Sequence, residues 1–198
     1  MTANLLECAQ ARTDEDFRAV GAFRHRCYLA EGLIDPRPDQ TFLDAYDFAP
    51  ATQVFMIRLK GRIVGTIRLH VLDRCNHSSA TMAAFPDLLM PKIRSGMTLL
   101  DGARFAIAPD MGTLRLLIAR RILRLCYHYD KGRDADYGVA AVQEAQIDFY
   151  RRSYGFSPLS EPRIYGGLNK KLVLMGLDLR QADATDQTAP LRATARTC

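Results

Sequence analysis

A chain of 198 residues, 48% hydrophobic and 25% charged, has the composition of an ordinary globular protein with enough apolar material for one sizeable core. No apolar run approaches the roughly 18–20 residues that a bilayer span needs, and Met1–Glu7 lacks the basic start and apolar stretch of a secretory signal. Five scattered cysteines without a Cys-x-x-Cys pair argue against a disulfide framework and a zinc site, so a reducing cytoplasm is the expected compartment. The net charge of +5 is unevenly placed. Residues 1–112 and 172–198 balance, whereas residues 113–171 carry 11 basic against 6 acidic side chains, which points to one basic face for an acidic partner.

Thr13-Asp14-Glu15-Asp16 reads as a helix start, a threonine N-cap followed by acids in the first turn. Phe17, Val20, Phe23, Cys27 and Tyr28 then recur at helical spacing to a stop near Gly32. Residues 33–50 form a long loop broken by Pro36, Pro38 and Pro50 and carrying Asp39, Asp44 and Asp47. A loop of that length without periodicity is a candidate for function. Residues 52–59 and 62–71 read as two strands joined at Lys60-Gly61 as a hairpin, with Ile63, Gly65, Ile67, Leu69 and Val71 on one face and Arg62, Val64, Thr66, Arg68 and His70 on the other. A short helix around 83–89 and a strand at about 98–107 follow. Residues 113–129 give the clearest helix, its apolar stripe formed by Leu114, Ile118, Ile122, Leu125, Cys126 and Tyr129. A strand over 136–142, a helix over 143–154 stopped by Gly155-Phe156, and closing strands at 164–165 and 172–177 complete the pattern. The alternation predicts a single-domain α/β (α+β) fold over residues 1–180, a mixed sheet flanked by helices, with residues 181–198 as a disordered polar tail.

The segment Leu100-Asp101-Gly102-Ala103-Arg104-Phe105-Ala106-Ile107 departs from an ordinary core strand, because it carries two opposite charges and a glycine. Strict alternation would send Asp101 and Arg104 to opposite faces. A bulge at Gly102 would bring both to one cleft. A structural salt bridge at a strand end is the competing explanation.

These segments resemble the acyl-homoserine-lactone (autoinducer) synthases, a branch of the GNAT acyltransferase fold. The resemblance rests on Phe23-Arg24-His25-Arg26-Cys27-Tyr28, Asp44-Ala45-Tyr46-Asp47, Gly65-Thr66-Ile67-Arg68-Leu69, Phe85-Pro86-Asp87-Leu88-Leu89 and the Leu100–Ile107 strand, five motifs in the family's order. Phe42, Ile34 and Asp101 stand where those synthases have glutamate, tryptophan and glutamate. The second half, with Phe149-Tyr150-Arg151-Arg152-Ser153-Tyr154-Gly155-Phe156, looks like the ending of general GNAT acyltransferases. The combination is similar to the bacterial long-chain N-acyl-amino-acid synthases of the FeeM type.

The resemblance implies an N-acyltransferase of bulged central strand that moves a long-chain acyl group from acyl carrier protein to the amine of an amino acid, tyrosine by family likeness. No tightly bound cofactor is implied; the donor is a phosphopantetheine thioester on the carrier. Carried over residue by residue, Asp101, Arg104 and Arg68 are the candidate catalytic set, with Asp101 as base or as charge partner of the arginines. Arg24, Asp44 and Asp47 are the candidate substrate-binding set, and Phe105, Ala106 and Ile107 the backbone against which the pantetheine arm lies. The turn Ala108–Thr113 has only Gly112 where coenzyme A users have a glycine-rich phosphate cradle, which favours a carrier protein over a nucleotide. The acidic carrier protein is then expected to dock on Arg115, Arg120, Arg121, Arg124 and Lys131, and the small residues 138–141 to leave room for an acyl chain. Tyr150 and Tyr154 are candidates for the acid that protonates the leaving thiolate, or for core packing. The histidines lack metal spacing. An autoinducer synthase using S-adenosylmethionine and a coenzyme A acetyltransferase are the competing enzyme readings. A nucleic-acid module has no helix-turn-helix or zinc pattern behind it, and no nucleic-acid partner is expected.

Overall fold

Thr13 opens the first helix: its hydroxyl accepts from the Asp16 amide, while the Asp16 carboxylate accepts from the Thr13 amide, a reciprocal capping box. In the computed structural model, which describes residues 6–131 and 135–180 apart from the side chains of residues 127, 128, 130 and 131, this helix is α1 (Asp14–Ala30). It is preceded by β1 (Leu6–Gln10), a strand the residue pattern does not announce. The other elements are β2 (Thr52–Leu59), β3 (Arg62–Leu72), α2 (Ala80–Ala84), α3 (Pro86–Arg94), β4 (Leu99–Ile107), α4 (Leu114–Lys131), β5 (Tyr137–Val142), α5 (Ile147–Tyr154), β6 (Ser157–Pro158), β7 (Arg163–Ile164) and β8 (Lys171–Asp178). The single helix expected around 83–89 is two, because Phe85-Pro86 breaks the turn between them. The helix expected over 143–154 starts as a 3₁₀ turn and becomes α-helical only at Ile147. The stretch 181–198 lies outside the described residues.

The strands form one twisted sheet in the order β1-β2-β3-β4-β5-β8-β6, with β7 on β8. Only β4–β5 is parallel; every other pair is antiparallel. The fold is therefore the expected mixed sheet flanked by helices. The β2–β3 hairpin closes through Lys60 and Gly61, both at positive φ (50° and 79°), as a two-residue loop of right-handed twist requires.

The two faces differ in chemistry. On one, Ile57, Val64, Ile67, Leu69, Leu100 and Ile107 pack beneath Ile118, Ala119 and Ile122 of α4, and Ala140 and Val142 meet Tyr150 of α5. On the other, α1, α2, α3 and the 33–48 loop cover Val54, Met56, Ile63, Leu99, Ala106 and Val139, and nearly all the buried charge lies here. Alternation assigns the faces correctly from Gly65 to His70 but not at Ile63 and Val64. There the β2–β3 register slips by one, leaving Val64 unpaired and swapping the two side chains between faces.

Gly65 has a packing reason. A Cβ there would come within 2.9 Å of both Ile118 Cγ2 and Ile122 Cδ1, whose side chains are fully buried, so the glycine lets α4 approach β3. Gly65→Ala is expected to overpack that contact and destabilise the protein by about 1–3 kcal/mol, measured as a lower urea midpoint at unchanged slope.

Candidate active site

Five charged side chains form one continuous chain between α1, the 33–48 loop and the central strands. Arg24 Nη1 of α1 donates to Asp47 Oδ1 at 2.7 Å, and Arg68 Nη1 of β3 reaches Asp47 Oδ1 at 3.2 Å and Asp44 Oδ1 at 2.6 Å. Arg104 of β4 donates through Nε and Nη2 to Asp44 Oδ2 at 3.1 and 2.6 Å, and through Nη2 to the Gly166 carbonyl at 3.2 Å. The side chains of Arg24, Arg68 and Asp47 are wholly buried. Asp44 and Asp47 are held at the two ends of a 3₁₀ turn (Ala45–Phe48) by a capping box of their own: the Tyr46 amide donates to Asp44 and the Asp44 amide to Asp47. Burial alone would raise the Asp44 pKa, but Arg68 and Arg104 outweigh it and hold it below the usual carboxylate range.

The strand β4 is bulged, though not at Gly102. Arg68 pairs with Ala103 and Thr66 with Ala106, so Arg104 and Phe105 together oppose Ile67. Arg104 takes φ +55°, the left-handed region that bulges of this kind usually give to glycine. Gly102 sits in regular register opposite Leu69, and a Cβ there would meet nothing closer than 3.7 Å. The expected consequence survives the correction. Asp101 already lies on the face of Arg68, opposite His70, and the bulge turns Arg104 onto that same face.

Asp101 is fully buried, and its carboxylate accepts from Ser79 Oγ and Thr81 Oγ1, both at 2.8 Å. Burial pushes its pKa up, against those two bonds and the charges of Arg68 and Arg104. His70 beside it is neutral: burial and Arg68 push it down to about 4, and its Nε2 is hydrogen-bonded to Thr52 Oγ1.

The parallel ladder between β4 and β5 ends at the pair Asp101–Val139. Beyond it the strands part, and a narrow cleft opens, walled by Gly102–Phe105 of β4, Ala141 and Val142 of β5, and Gln143 just past it. Tyr28, Leu33, Tyr165 and Leu168 line one end and Gln146 and Tyr150 the other. Of the expected pantetheine-binding residues, Phe105 lines this cleft. Ala106 and Ile107 lie past it, paired with Thr66 and Gly65. Arg104 is the cluster's representative in the cleft; Arg24, Arg68, Asp44, Asp47 and Asp101 stand behind the wall. Tyr150 is both packed and exposed to the cleft, within an aromatic group of Phe149, Tyr154 and Phe156.

The expected docking residues do not form one face. Arg115 donates to the Ile107 and Ala108 carbonyls at 3.3 and 3.2 Å and pairs with Glu31 at 3.3 Å, so its terminal nitrogens brace the end of β4 against α1. Arg121 lies within electrostatic reach of Cys8 on β1, and Arg120 within reach of Tyr154 on α5, so the two flank α4 on opposite sides. Arg124 is half-buried, and the Lys131 side chain lies outside the described residues. The missed members of the site are Ser79, Thr81, Tyr165 and Phe42. Ser79 is the N-cap of α2 and Thr81 lies in its first turn, a helix that starts ahead of the one expected around 83–89. Tyr165 was masked by its place next to a strand. Phe42, buried at 2%, stacks its ring 4.8 Å from the Arg104 guanidinium and edge-on to Tyr28 at 5.0 Å.

Comparison with known proteins agrees with this geometry. The family model described as N-acyl amino acid synthase FeeM matches residues 19–178. Among solved structures, the fold is similar to FeeM, an N-acyl amino acid synthase from uncultured soil microbes (TM-score 0.76, 16% identity, covering 93% of this chain and 96% of that one). It is also similar to the acyl-homoserine-lactone synthase LasI (0.62, 20%, 87% and 88%) and to an acyl-CoA N-acyltransferase from Pseudomonas aeruginosa (0.57, 16%, 86% and 97%). No curated protein matches the sequence.

Removing Asp47 leaves two buried guanidinium groups short of an acceptor. Asp47→Ala is expected to cost about 3–5 kcal/mol of stability, with Asp47→Asn intermediate, read by urea denaturation.

Proposed function

From the premise that the chain belongs to the FeeM N-acyl amino acid synthase family and is an N-acyltransferase, we propose that it joins a long-chain acyl group from acyl carrier protein to the α-amine of an amino acid, with tyrosine as acceptor. The observation that carries this reading is the cleft between the parted β4 and β5, with Arg104 at its wall. Past Asp101 the β4 backbone has no ladder partner on β5. Amides so directed suit a pantetheine arm and the oxyanion that forms when nitrogen attacks the thioester carbon. The ammonium group first gives up one proton, and the free amine forms the C–N bond. The tetrahedral adduct then collapses, the C–S bond breaks, and the sulfur leaves as a thiol with the second proton from the nitrogen.

Arg104 Nη1 is buried and has no hydrogen-bond partner among the described residues, and Arg104 lines the cleft. It is the arginine we assign to the acceptor's carboxylate, whereas Arg24 and Arg68 tie down the loop. Asp101 is the proton acceptor for the ammonium form of the substrate. Desolvation of its carboxyl works in the required direction, since an ordinary aspartate is too weak a base for an amine. The acyl chain runs past Ala141 and Val142, where β5 lines the cleft, whereas Gly138 and Val139 are still paired with β4 and leave no room between the strands.

Two features favour a carrier-bound donor over coenzyme A. The turn before α4 is a 3₁₀ turn (Pro109–Met111), and its Asp110 carboxylate, paired with Arg62 at 2.6 Å, sets a negative charge beside the helix N-terminus where a diphosphate would need donors. Arg120 is exposed on the flank of α4 that faces α5 and the Tyr150 end of the cleft. A sulfonium acceptor such as S-adenosylmethionine is disfavoured because its positive charge would meet the Arg104 guanidinium, whose near face Phe42 covers rather than a carboxylate.

The direct test supplies purified protein with hexadecanoyl carrier protein or hexadecanoyl-coenzyme A, and with tyrosine or S-adenosylmethionine, and identifies products by mass spectrometry. N-hexadecanoyl-tyrosine from the carrier-bound donor is expected; a lactone product overturns the acceptor, and preference for coenzyme A overturns the donor. In the double variant Arg120→Glu/Arg124→Glu, KM for carrier-bound donor is expected to rise about tenfold with a small pantetheine thioester unaffected. Equal losses with both donors would refute docking on α4.

A further inference from the structure

Asp101 cannot meet a substrate directly. It is fully buried, it does not line the cleft, and both its oxygens are engaged by Ser79 and Thr81. Its connection outward runs through one atom. Thr81 Oγ1, 2.8 Å from Asp101 Oδ1, is also 2.9 Å from the Tyr165 hydroxyl, and Tyr165 lines the cleft. Of these four side chains, Tyr165 alone does so.

The direction of the bonds follows from counting protons. A threonine hydroxyl has one proton to give, and Thr81 gives it to the Asp101 carboxylate. The Thr81–Tyr165 bond must then be made with the tyrosine proton, so Tyr165, a lining residue of the cleft though only 2% exposed, donates inward and keeps its oxygen lone pairs for an incoming donor. The wire is thus polarised from cleft to carboxylate as long as Asp101 is ionised.

We propose that Tyr165 is the catalytic residue that takes the proton from the incoming ammonium group, passing its own proton to Thr81 as Thr81 passes its proton to Asp101. This rests on Asp101 being the final proton acceptor in the acyl transfer proposed above. The balance is one proton in and one proton stored: the ammonium becomes a free amine, Tyr165 and Thr81 end as neutral hydroxyls with their protons exchanged, and Asp101 ends as the neutral acid. No phenolate accumulates, so the high pKa of Tyr165, raised by burial and by Asp101, is no obstacle. After the product leaves, the same wire returns the proton to solvent.

Arg104 fixes the geometry of the outer end. Its guanidinium carbon lies 5.6 Å from the centre of the Tyr165 ring, and its unpartnered Nη1 is the group assigned to the acceptor's carboxylate. In an α-amino acid the amine is one carbon from the carboxylate. An acceptor anchored on Arg104 therefore brings its nitrogen beside Tyr165. The strained left-handed backbone of Arg104 is what places the guanidinium against that ring rather than on the opposite face of the strand.

The test compares Tyr165→Phe, Thr81→Val, Thr81→Ser and Asp101→Asn in the full chain, using hexadecanoyl carrier protein and tyrosine as probe substrates and following thiol release against pH. Tyr165→Phe and Thr81→Val are expected to lower kcat at neutral pH at least tenfold, with KM for tyrosine within about twofold and thermal unfolding still cooperative, while Thr81→Ser, which keeps the hydroxyl, restores most of the rate. The pH profile is the decisive readout. Without the wire the reaction depends on tyrosine that is already a free amine, so the rate should climb about tenfold per pH unit and approach the parent rate in alkali. A purely structural loss would lower the rate equally at every pH. If Asp101→Asn is impaired but Tyr165→Phe and Thr81→Val keep the parent rate and profile, the relay is refuted and the base role stands. If Asp101→Asn also keeps them, the base role falls with it.

Discussion

The structure depends on one alternating row of charges: Arg24, Asp47, Arg68, Asp44 and Arg104. Each carboxylate is shared by two guanidinium groups, so neither of the two loop aspartates is left as a lone buried charge. The row joins α1, the 33–48 loop, β3 and β4 across a face that would otherwise be apolar. Apolar packing alone would close that face at lower desolvation cost. What the charges add is direction: they fix the loop in one place and leave guanidinium nitrogens on Arg24, Arg68 and Arg104 without protein acceptors. Three cations bound to two loop anions leave a net positive charge beside the cleft.

The same row accounts for the strain in β4. A non-glycine residue at φ +55° is held against its preference. The guanidinium of Arg104 compensates through Asp44, the Gly166 carbonyl and the faces of Phe42 and Tyr165. A glycine would relax the backbone and lose every one of these contacts. The bulge thereby does two things at once: it turns Arg104 toward the cleft, and it displaces β4 from regular pairing close to where β4 and β5 separate.

Much of this was legible in the sequence, for identifiable reasons. Opposite charges inside an apolar strand are costly unless paired, so Asp101 and Arg104 stood out without any structure, and Asp44, Asp47, Arg24 and Arg68 followed from motif order. The N-cap at Thr13 and the Lys60-Gly61 turn are local chemistry and were read as such, whereas the reciprocal bond from Asp16 that completes the capping box was not. Bulges were not legible, because a shift of register depends on the partner strand. Hence Val64 changed face and the bulge at Arg104–Phe105 was sought at the nearby glycine. The basic segment was legible only as a count, for a similar reason: charge along a helix does not say that Arg115 turns back to the Ile107 carbonyl while Arg120 and Arg121 part to opposite flanks. Tyr165 and Thr81 lay beyond reach because 84 residues separate the two hydroxyls that touch.

On the role as base proposed for it, the burial of Asp101 restricts how it can act. An exposed carboxylate at the cleft wall would be hydrated, of ordinary acidity, and free to pair with the cationic form of the amine and so hold it as a salt. A carboxylate behind Tyr165 cannot trap the ammonium group in that way, since contact is limited to a neutral hydroxyl. Arg68 and Arg104 still favour its charged form from a distance, but they spend their short contacts on Asp44 and Asp47, and burial outweighs them. The loop aspartates therefore do more than hold a loop. By occupying the guanidinium groups they leave Asp101 with hydroxyl donors alone, and burial raises its affinity for a proton toward what amine chemistry demands.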